Sequence, residues 1–385
     1  MSKLTEQLVE RAKRVGSEVA AKFAGDVDAK ARFPREAFDA LKKEKLLSIW
    51  IPTRFGGDGA TFSDVAAVCN TLGHYCGSTA MIYAMHQIQV ACVIRHGLEV
   101  PYFQKLAGEL VEKQLLFASA TSEAGIGGNV RTSSCAVERT GNNFTLTKNA
   151  IVISYGDDAD AIFVTARKNP EAPPSDQVLC VVRKGDYTLE QTTGWDTLGM
   201  RGTCSNGYML RAKAGVDQIL PTSYGDMSAQ TMLPTTHLLW ASLWTGIATD
   251  AVNRARAFVR NEARQKPGWT PPGAIRLAEV MNMLQLMRSN VSDGIATHDQ
   301  HSSDMEFLTS IGFTLKMNNV KTGTSQMAVQ VVNHAMLVCG IHGYRNDSKF
   351  SVGRHLRDVH SAAIMVSNDR IFSTNAALLL VHKDD

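Results

Sequence analysis

The side chains in this sequence that move protons most readily near neutral pH are a few histidines and one carboxylate beside an arginine. An imidazole titrates close to pH 6.5, so it can act as acid or base wherever substrate reaches it. His86 lies in Ala84-Met-His-Gln87, His237 in Pro234-Thr-Thr-His-Leu-Leu-Trp240, and His342 in Gly340-Ile-His-Gly-Tyr344. The first two sit inside apolar helical patterns, where a histidine bonded into the core is the structural alternative. Asp369 and Arg370 follow Asn368 in Ile364-Met-Val-Ser-Asn-Asp-Arg-Ile371. Arg370 suits a phosphate or carboxylate; a surface pair between Asp369 and Arg370 is the alternative. The seven cysteines are scattered, with no CxxC pair and no histidine cluster at zinc spacing. They read as buried, reduced thiols of a cytoplasmic protein.

The elements that must position these groups follow from hydrophobic period. Leu8, Ala12, Val15, Val19 and Phe23 recur at steps of three and four, which predicts one buried helical face. Phe33-Pro34 opens another helix, Phe55-Gly-Gly-Asp-Gly59 is a loop, and helical patterns run through Val65–Leu72 and Ala80–Arg95. From about residue 115 the period becomes that of strands. Segments 115–120, 132–138, 144–147, 151–154, 161–166, 178–182 and 187–191 are predicted strands, with a hairpin at Gly141-Asn142-Asn143. After Leu220-Pro221 long amphipathic helices are predicted at about 235–264, 274–299, 303–338 and 358–381. The predicted fold is mostly α with a central β domain: an N-terminal helical domain (1–113), a small antiparallel β-barrel domain (114–224) and a C-terminal four-helix bundle (225–385).

Forty basic and 37 acidic side chains give a net charge of +3, too balanced for a nucleic-acid or membrane footprint. Hydrophobic residues make up 44% and charged residues 20%, as in a globular chain with a sizeable core. No apolar run reaches spanning length, and Met1-Ser-Lys-Leu-Thr-Glu opens directly into a charged helical pattern, so neither a leader nor a membrane span is expected.

Five separated blocks, in order, resemble the acyl-CoA dehydrogenase family. They are Phe33-Pro34 through Gly59; Phe117-Ala-Ser-Ala-Thr-Ser-Glu-Ala-Gly-Ile-Gly-Gly128; Ile151-Val-Ile-Ser-Tyr155 with Ala159-Asp160; Leu198-Gly-Met-Arg-Gly-Thr-Cys-Ser205; and the C-terminal run from Gly340 through Arg357-Asp358 to Ile371. The resemblance covers nearly the whole chain. It implies a bound flavin, FAD in the first instance, with FMN or a reduced flavin supplied by a reductase as the other forms. Thr121 and Ser122 would lie along the pyrimidine edge and Ser154 would face N5, where a donor favours hydride uptake. Gly128 stands where the family's loop serine helps hold a pyrophosphate, and a glycine N–H still reaches a phosphate. Arg264 and Gly340 match the segments that bind the adenine half of FAD across a subunit contact, and Asn368 and Arg370 flank the flavin-side turn. The structural alternatives are strand-end caps for the serines and a solvated helix-terminal arginine for Arg264.

The same resemblance exposes a gap. The family's catalytic glutamate falls at Val366, and the position on the long helix that holds it in some relatives has no carboxylate. His237, within one position of that second place, and His86, on the helix beside the flavin, are the nearest replacements, with Asp369 a third. One reading is therefore FAD-dependent α,β-dehydrogenation of an acyl thioester, on CoA or a carrier protein, with a relocated base and an electron-transfer flavoprotein as acceptor. A reduced-flavin, two-component monooxygenase served by a flavin reductase is another. A relative that binds an acyl or carrier-protein partner without redox chemistry is the third. A homotetramer or homodimer is implied, because the family's cofactor is shared between subunits.

Overall fold

Residues 2–125 and 129–383 are described by the computed structural model. The first part is helical: α1 (Lys3–Val15), α2 (Ala21–Lys30), α3 (Arg35–Lys43), α4 (Phe62–Gly73), α5 (Gly77–His96) and α6 (Pro101–Lys113). Ser2 caps α1 by accepting from the Thr5 N–H, and a reciprocal capping box of Thr61 and Asp64 starts α4. The stripe Leu8, Ala12, Val15 is buried as predicted, but Phe23 is exposed and Val19 only half-buried. A π turn at Gly16–Ala20 inserts one residue, so the buried stripe continues instead through Ala20, Ala24 and Val27. Gly16 allows that turn to lie against Tyr75, whose ring would stand 2.1 Å from any Cβ there.

The strands are β1 (Phe117–Ala120), β2 (Glu138–Thr140), β3 (Asn143–Ile153), β4 (Ala161–Arg167), β5 (Gln177–Arg183), β6 (Tyr187–Thr193) and β7 (Asn206–Gly215). They form two small sheets, β1-β4-β5 and β2-β3-β7-β6. All pairings are antiparallel except β1 with β4, which run parallel, Phe117 opposite Ala161. The predicted hairpin turns at Gly141, with φ +58°. The segments expected as two strands at 144–147 and 151–154 are one long strand, β3, with an irregularity between Ala150 and Ile153 that turns its end toward the β1 loop.

The rest is helical: α7 (Tyr224–Met227), α8 (Leu233–Gln265), α9 (Gly273–Gln300), α10 (Met305–Thr309), α11 (Ile311–Cys339), α12 (Ile341–Tyr344), α13 (Gly353–His360) and α14 (Asn368–Leu379). Helices α8, α9 and α11 pack on one another, with α13 and α14 against α11 and α4 and α5 against α8. The helix predicted over 358–381 is broken. A run of turns at 361–367 separates α13 from α14, and Val366 there has φ +48°, a left-handed conformation that is rare for a β-branched side chain. Among the described residues, no helix is long and apolar enough to cross a membrane.

Candidate functional site

The first hydroxyl loop leaves β1 at Ala120 and carries Thr121, Ser122 and Glu123. Glu123 is the anchor. Its carboxylate accepts from Ser133 Oγ (2.7 Å), the Cys135 N–H (2.9 Å), the Ser134 N–H and hydroxyl, and Lys148 Nζ (3.2 Å). Both ends of the ion pair are enclosed, with side chains 3% and 0% exposed. Burial pushes the Glu123 carboxyl up, but the hydroxyls of Ser134 and Ser133 and the Lys148 amine outweigh it, so its pKa lies below the ordinary carboxylate value. Lys148 comes from β3 and also donates to the Thr165 carbonyl (2.7 Å) on β4, so one amine ties the loop to both sheets.

Ser122 Oγ donates to the Val152 carbonyl at 3.2 Å and so closes the β1 loop onto the end of β3. Two residues on, Ser154 enters a hydroxyl chain: Ser154 Oγ to Ser205 Oγ 2.7 Å, Ser205 Oγ to Thr203 Oγ1 2.9 Å, and Thr203 Oγ1 donating to the Met200 carbonyl at 2.9 Å. Because Thr203 gives its proton to Met200, Ser205 must donate to Thr203 and Ser154 to Ser205. In this arrangement Ser154 spends its proton inward and keeps lone pairs free to accept. The backbone around the chain is strained: Tyr155, Met200 and Cys204 all have φ between +43° and +51°. Tyr155 is held there by its hydroxyl bond to the Phe117 carbonyl (2.9 Å) and its N–H bond to the Thr203 carbonyl (2.8 Å).

This loop is docked on the C-terminal helices through Asp358. The Met200 N–H donates to Asp358 Oδ1 at 2.7 Å, and a Cβ at Gly199 would sit 2.1 Å from the Arg357 carbonyl oxygen. Asp358 is enclosed beside Gly77 at the start of α5, and burial pushes its carboxyl up to about 6. The hydroxyl chain is thereby fixed beside α13, immediately before the 361–367 turn. Val366, 39% exposed, stands in that turn. Lys321 of α11 donates to the Val366 carbonyl (2.6 Å) and to Asn368 Oδ1 (2.7 Å), while Asn368 Nδ2 donates to Ser325 Oγ (3.0 Å). The Lys321 side chain is wholly enclosed, and burial pulls its amine down to about 7.

The sequence candidates fall into several settings. His86 is fully buried with both nitrogens engaged: Nε2–H donates to the Leu47 carbonyl (2.8 Å) and Nδ1 accepts from the Phe117 N–H (3.1 Å). It pins α5 to β1, and burial lowers its pKa to about 4. A ring so occupied has no lone pair left for a substrate proton. His237 is also buried, and neither ring nitrogen makes a well-formed hydrogen bond; burial first, then the Lys321 charge, lower its pKa to about 3 against a weaker opposing contact with the Met317 backbone. Asn368 is directed inward by its bonds to Lys321 and Ser325, rather than outward to a ligand. Asp369 and Arg370 are exposed on the first turn of α14, and no ion pair joins them. Gly128 lies outside the described residues.

Arg264 and Gly340 sit elsewhere. Arg264, in the last turn of α8, lines an open cleft of about 500 Å³ with Asp250, Asn253, Arg254, Asn261 and Lys349, in which Asp250 pairs with Arg254 at 2.8 Å and leaves Arg264 and Lys349 as the cations suited to phosphate. Gly340 ends α11 with φ +54°, and His342 just beyond it packs on Phe258 and Phe350 near the same cleft. From His237 to Arg264 is 27 residues of one helix, roughly 40 Å at 1.5 Å per residue. The structure thus links Ser122 and Ser154 through the end of β3 and the 200–205 loop to Asp358 of α13, and leaves Arg264 and Gly340 at the C-terminal ends of α8 and α11.

Sequence reasoning missed Lys148, Lys321 and the Thr203–Ser205 relay. Both lysines carried a signal. Lys148 occupies an inward position in the alternation Phe144, Leu146, Lys148, Ala150, and Lys321 follows Met317 and Val320 on the buried side of α11. A charge on an apolar stripe calls for a buried partner.

Comparison with known proteins adds the following. The family described as "Acyl-CoA dehydrogenase, N-terminal domain" matches residues 2–100, and "Acyl-CoA dehydrogenase, C-terminal domain" matches 225–369. The chain is 25% identical to a cyclohex-1-ene-1-carbonyl-CoA dehydrogenase of Geobacter metallireducens, over 98% of this chain and 100% of that protein. Butyryl-CoA dehydrogenase from Megasphaera elsdenii superposes with a TM-score of 0.84, at 19% identity over 99% of both chains. FMN-bound TdsC from Paenibacillus sp. A11-2, a dibenzothiophene monooxygenase, superposes with a TM-score of 0.81, at 16% identity over 100% of this chain and 98% of that one. At such identities these two structures establish the fold.

Proposed function

Since the chain belongs to the acyl-CoA dehydrogenase superfamily and is a flavin-dependent oxidoreductase, we propose that it carries out α,β-dehydrogenation of an acyl thioester. The observation that carries the reading is the cluster of Thr121, Ser122 and Ser154, braced by Glu123–Lys148 and docked through Asp358 beside the 361–367 turn. These groups suit a flavin: hydroxyls and loop peptides in one place, and the Arg264 and Lys349 cations of a cleft for phosphate in another. Bound there, a flavin supplies a two-electron acceptor. Thr121, Ser122 and Ser154 would hold the ring. Arg264 and the Gly340 segment, at the C-terminal ends of α8 and α11, would bind the adenine half of FAD on a neighbouring subunit of a homodimer or homotetramer.

Proton removal would fall to His237, which approaches Lys321 and so the 361–367 turn, whereas His342 packs beside the other cleft. His237 is neutral and held only by a loose approach of the Met317 backbone, whereas His86 is committed on both sides and Val366 has no acidic group. The thioester would be carried on CoA or a carrier protein, and electron-transfer flavoprotein is the proposed acceptor.

One observation favours a second reading, a monooxygenase taking reduced FAD or FMN from a flavin reductase. Ser154 directs its proton inward and offers an acceptor, which suits a ring nitrogen bearing hydrogen, and oxygen insertion needs no α-carboxylate base. The visible spectrum of the purified protein separates the two. Oxidised flavin that bleaches anaerobically with an acyl-CoA, and no longer does so in His237→Ala, supports dehydrogenation. Colourless protein that oxygenates a substrate only with a reductase supports the second. Protein that binds neither FAD nor FMN in either the oxidised or the reduced form sinks both.

A further inference from the structure

We propose that Lys321 is the positioning residue of the 361–367 turn: from inside the bundle it holds the left-handed Val366 and the head of α14 in one shape beside the hydroxyl cluster. Its functional half rests on the flavin reading above. The amine donates to the Val366 carbonyl at 2.6 Å and to Asn368 Oδ1 at 2.7 Å. Asn368 is gripped a second time through Ser325 Oγ, whose hydroxyl donates to the Thr322 carbonyl at 2.8 Å. A single turn of α11 thus holds both the carbonyl of the strained residue and the first residue of the next helix.

Nothing else accounts for a lysine at this depth. From α8 it faces the Trp244 ring, 5.9 Å away, and the neutral His237; from the turn it faces only the Val366 carbonyl and the Asn368 amide. Among the described residues no carboxylate acts on it, so it is not half of a salt bridge. Both hydrogen bonds survive loss of a proton, because a neutral amine still has two N–H groups. Without this hold the local sequence favours a different shape. The amphipathic pattern over 358–381 is that of one continuous helix, and a β-branched residue is poor in the left-handed region. The turn's own backbone bonds, such as the Asn368 N–H to the Ala363 carbonyl at 3.0 Å, close it locally, and Lys321 adds the hold from the bundle at the position where the family carries its proton acceptor.

Amide hydrogen exchange over 361–368 in the FAD-saturated protein, together with FAD affinity and the position of the flavin absorption band, tests this in wild type, Lys321→Met and Lys321→Arg. Lys321→Met is expected to melt cooperatively, to exchange these amides at least tenfold faster, and to shift the flavin band or weaken FAD at least tenfold. Lys321→Arg, which keeps donors, falls nearer wild type. Unchanged exchange in Lys321→Met overturns the proposal; faster exchange with an unaltered flavin overturns its functional half. If Lys321→Met does not fold, Asn368→Leu removes one of the two acceptors and is read the same way. If wild type takes up no FAD, the proposed function fails, while the exchange comparison in the flavin-free protein still decides whether Lys321 holds the turn.

Discussion

Buried charge and buried imidazole set the behaviour of this protein at the scale of single residues. Lys148 and Glu123 are enclosed together, and removing one leaves the other unpaired in a medium that solvates it poorly. Lys148→Met is expected to destabilise the fold by about 3–5 kcal/mol, read from urea unfolding, and to release the 121–125 loop. His86 gives a pH signature. Its folded pKa, about 4, lies below the unfolded value near 6.5, so between those limits the unfolded chain binds a proton that the folded one refuses. Stability should therefore fall as pH drops from 6.5 toward 4, by up to roughly 1.4 kcal/mol per pH unit for this one group. His86→Phe should flatten the slope, and an unchanged slope would show that the ring charges freely in the native state. The histidine motif was legible in the sequence, but its occupation was not, because Leu47 and Phe117 reach the ring from elements 39 and 31 positions away.

Among the elements, the loop between β6 and β7 does most to build the site. It supplies Thr203 and Ser205, accepts strain at Met200 and Cys204, and packs its Gly199 directly on the α13 backbone. A methyl group at Gly199 would meet a carbonyl oxygen, which cannot rotate away as a side chain does. Gly199→Ala should therefore displace the loop, lower the melting temperature by several degrees and weaken flavin binding. An unaltered melt and affinity would mean that the docking is looser than drawn. The Leu198-Gly-Met-Arg motif showed that this loop matters. It did not show why, since the reason is a contact with Arg357, far along the chain. The π turn after α1 and the break after α13 were equally hidden. Periodicity assumes one uninterrupted helix, and both departures lie against residues remote in the chain: Tyr75 on Gly16 in the first, Lys321 on Val366 in the second.

At the scale of the whole molecule, Asp358, which anchors the hydroxyl chain, lies with Ile247 against Gly77, and Arg264 stands 17 residues further along α8, roughly 25 Å at 1.5 Å per residue. If FAD spans two subunits as proposed, Arg264→Ala should weaken FAD by roughly tenfold or more, the worth of a charge-assisted phosphate bond, and leave FMN affinity unchanged. Equal losses for both flavins, or none for either, would count against the shared-cofactor arrangement; fluorescence titration measures both. The sequence by itself determined the order of helices, strands and helices, the family, and the loss of a carboxylate at Val366, because apolar period and short motifs are local properties of the chain. Only the tertiary structure decided that Ser154 donates inward, that His86 is fully bonded, that Lys148 and Lys321 brace the two loops of the site, and that Arg264 stands far from them. Each of these depends on a hydrogen bond or a distance between residues remote in the chain, and the free energy of burying a polar group is set by which partner folding brings to it.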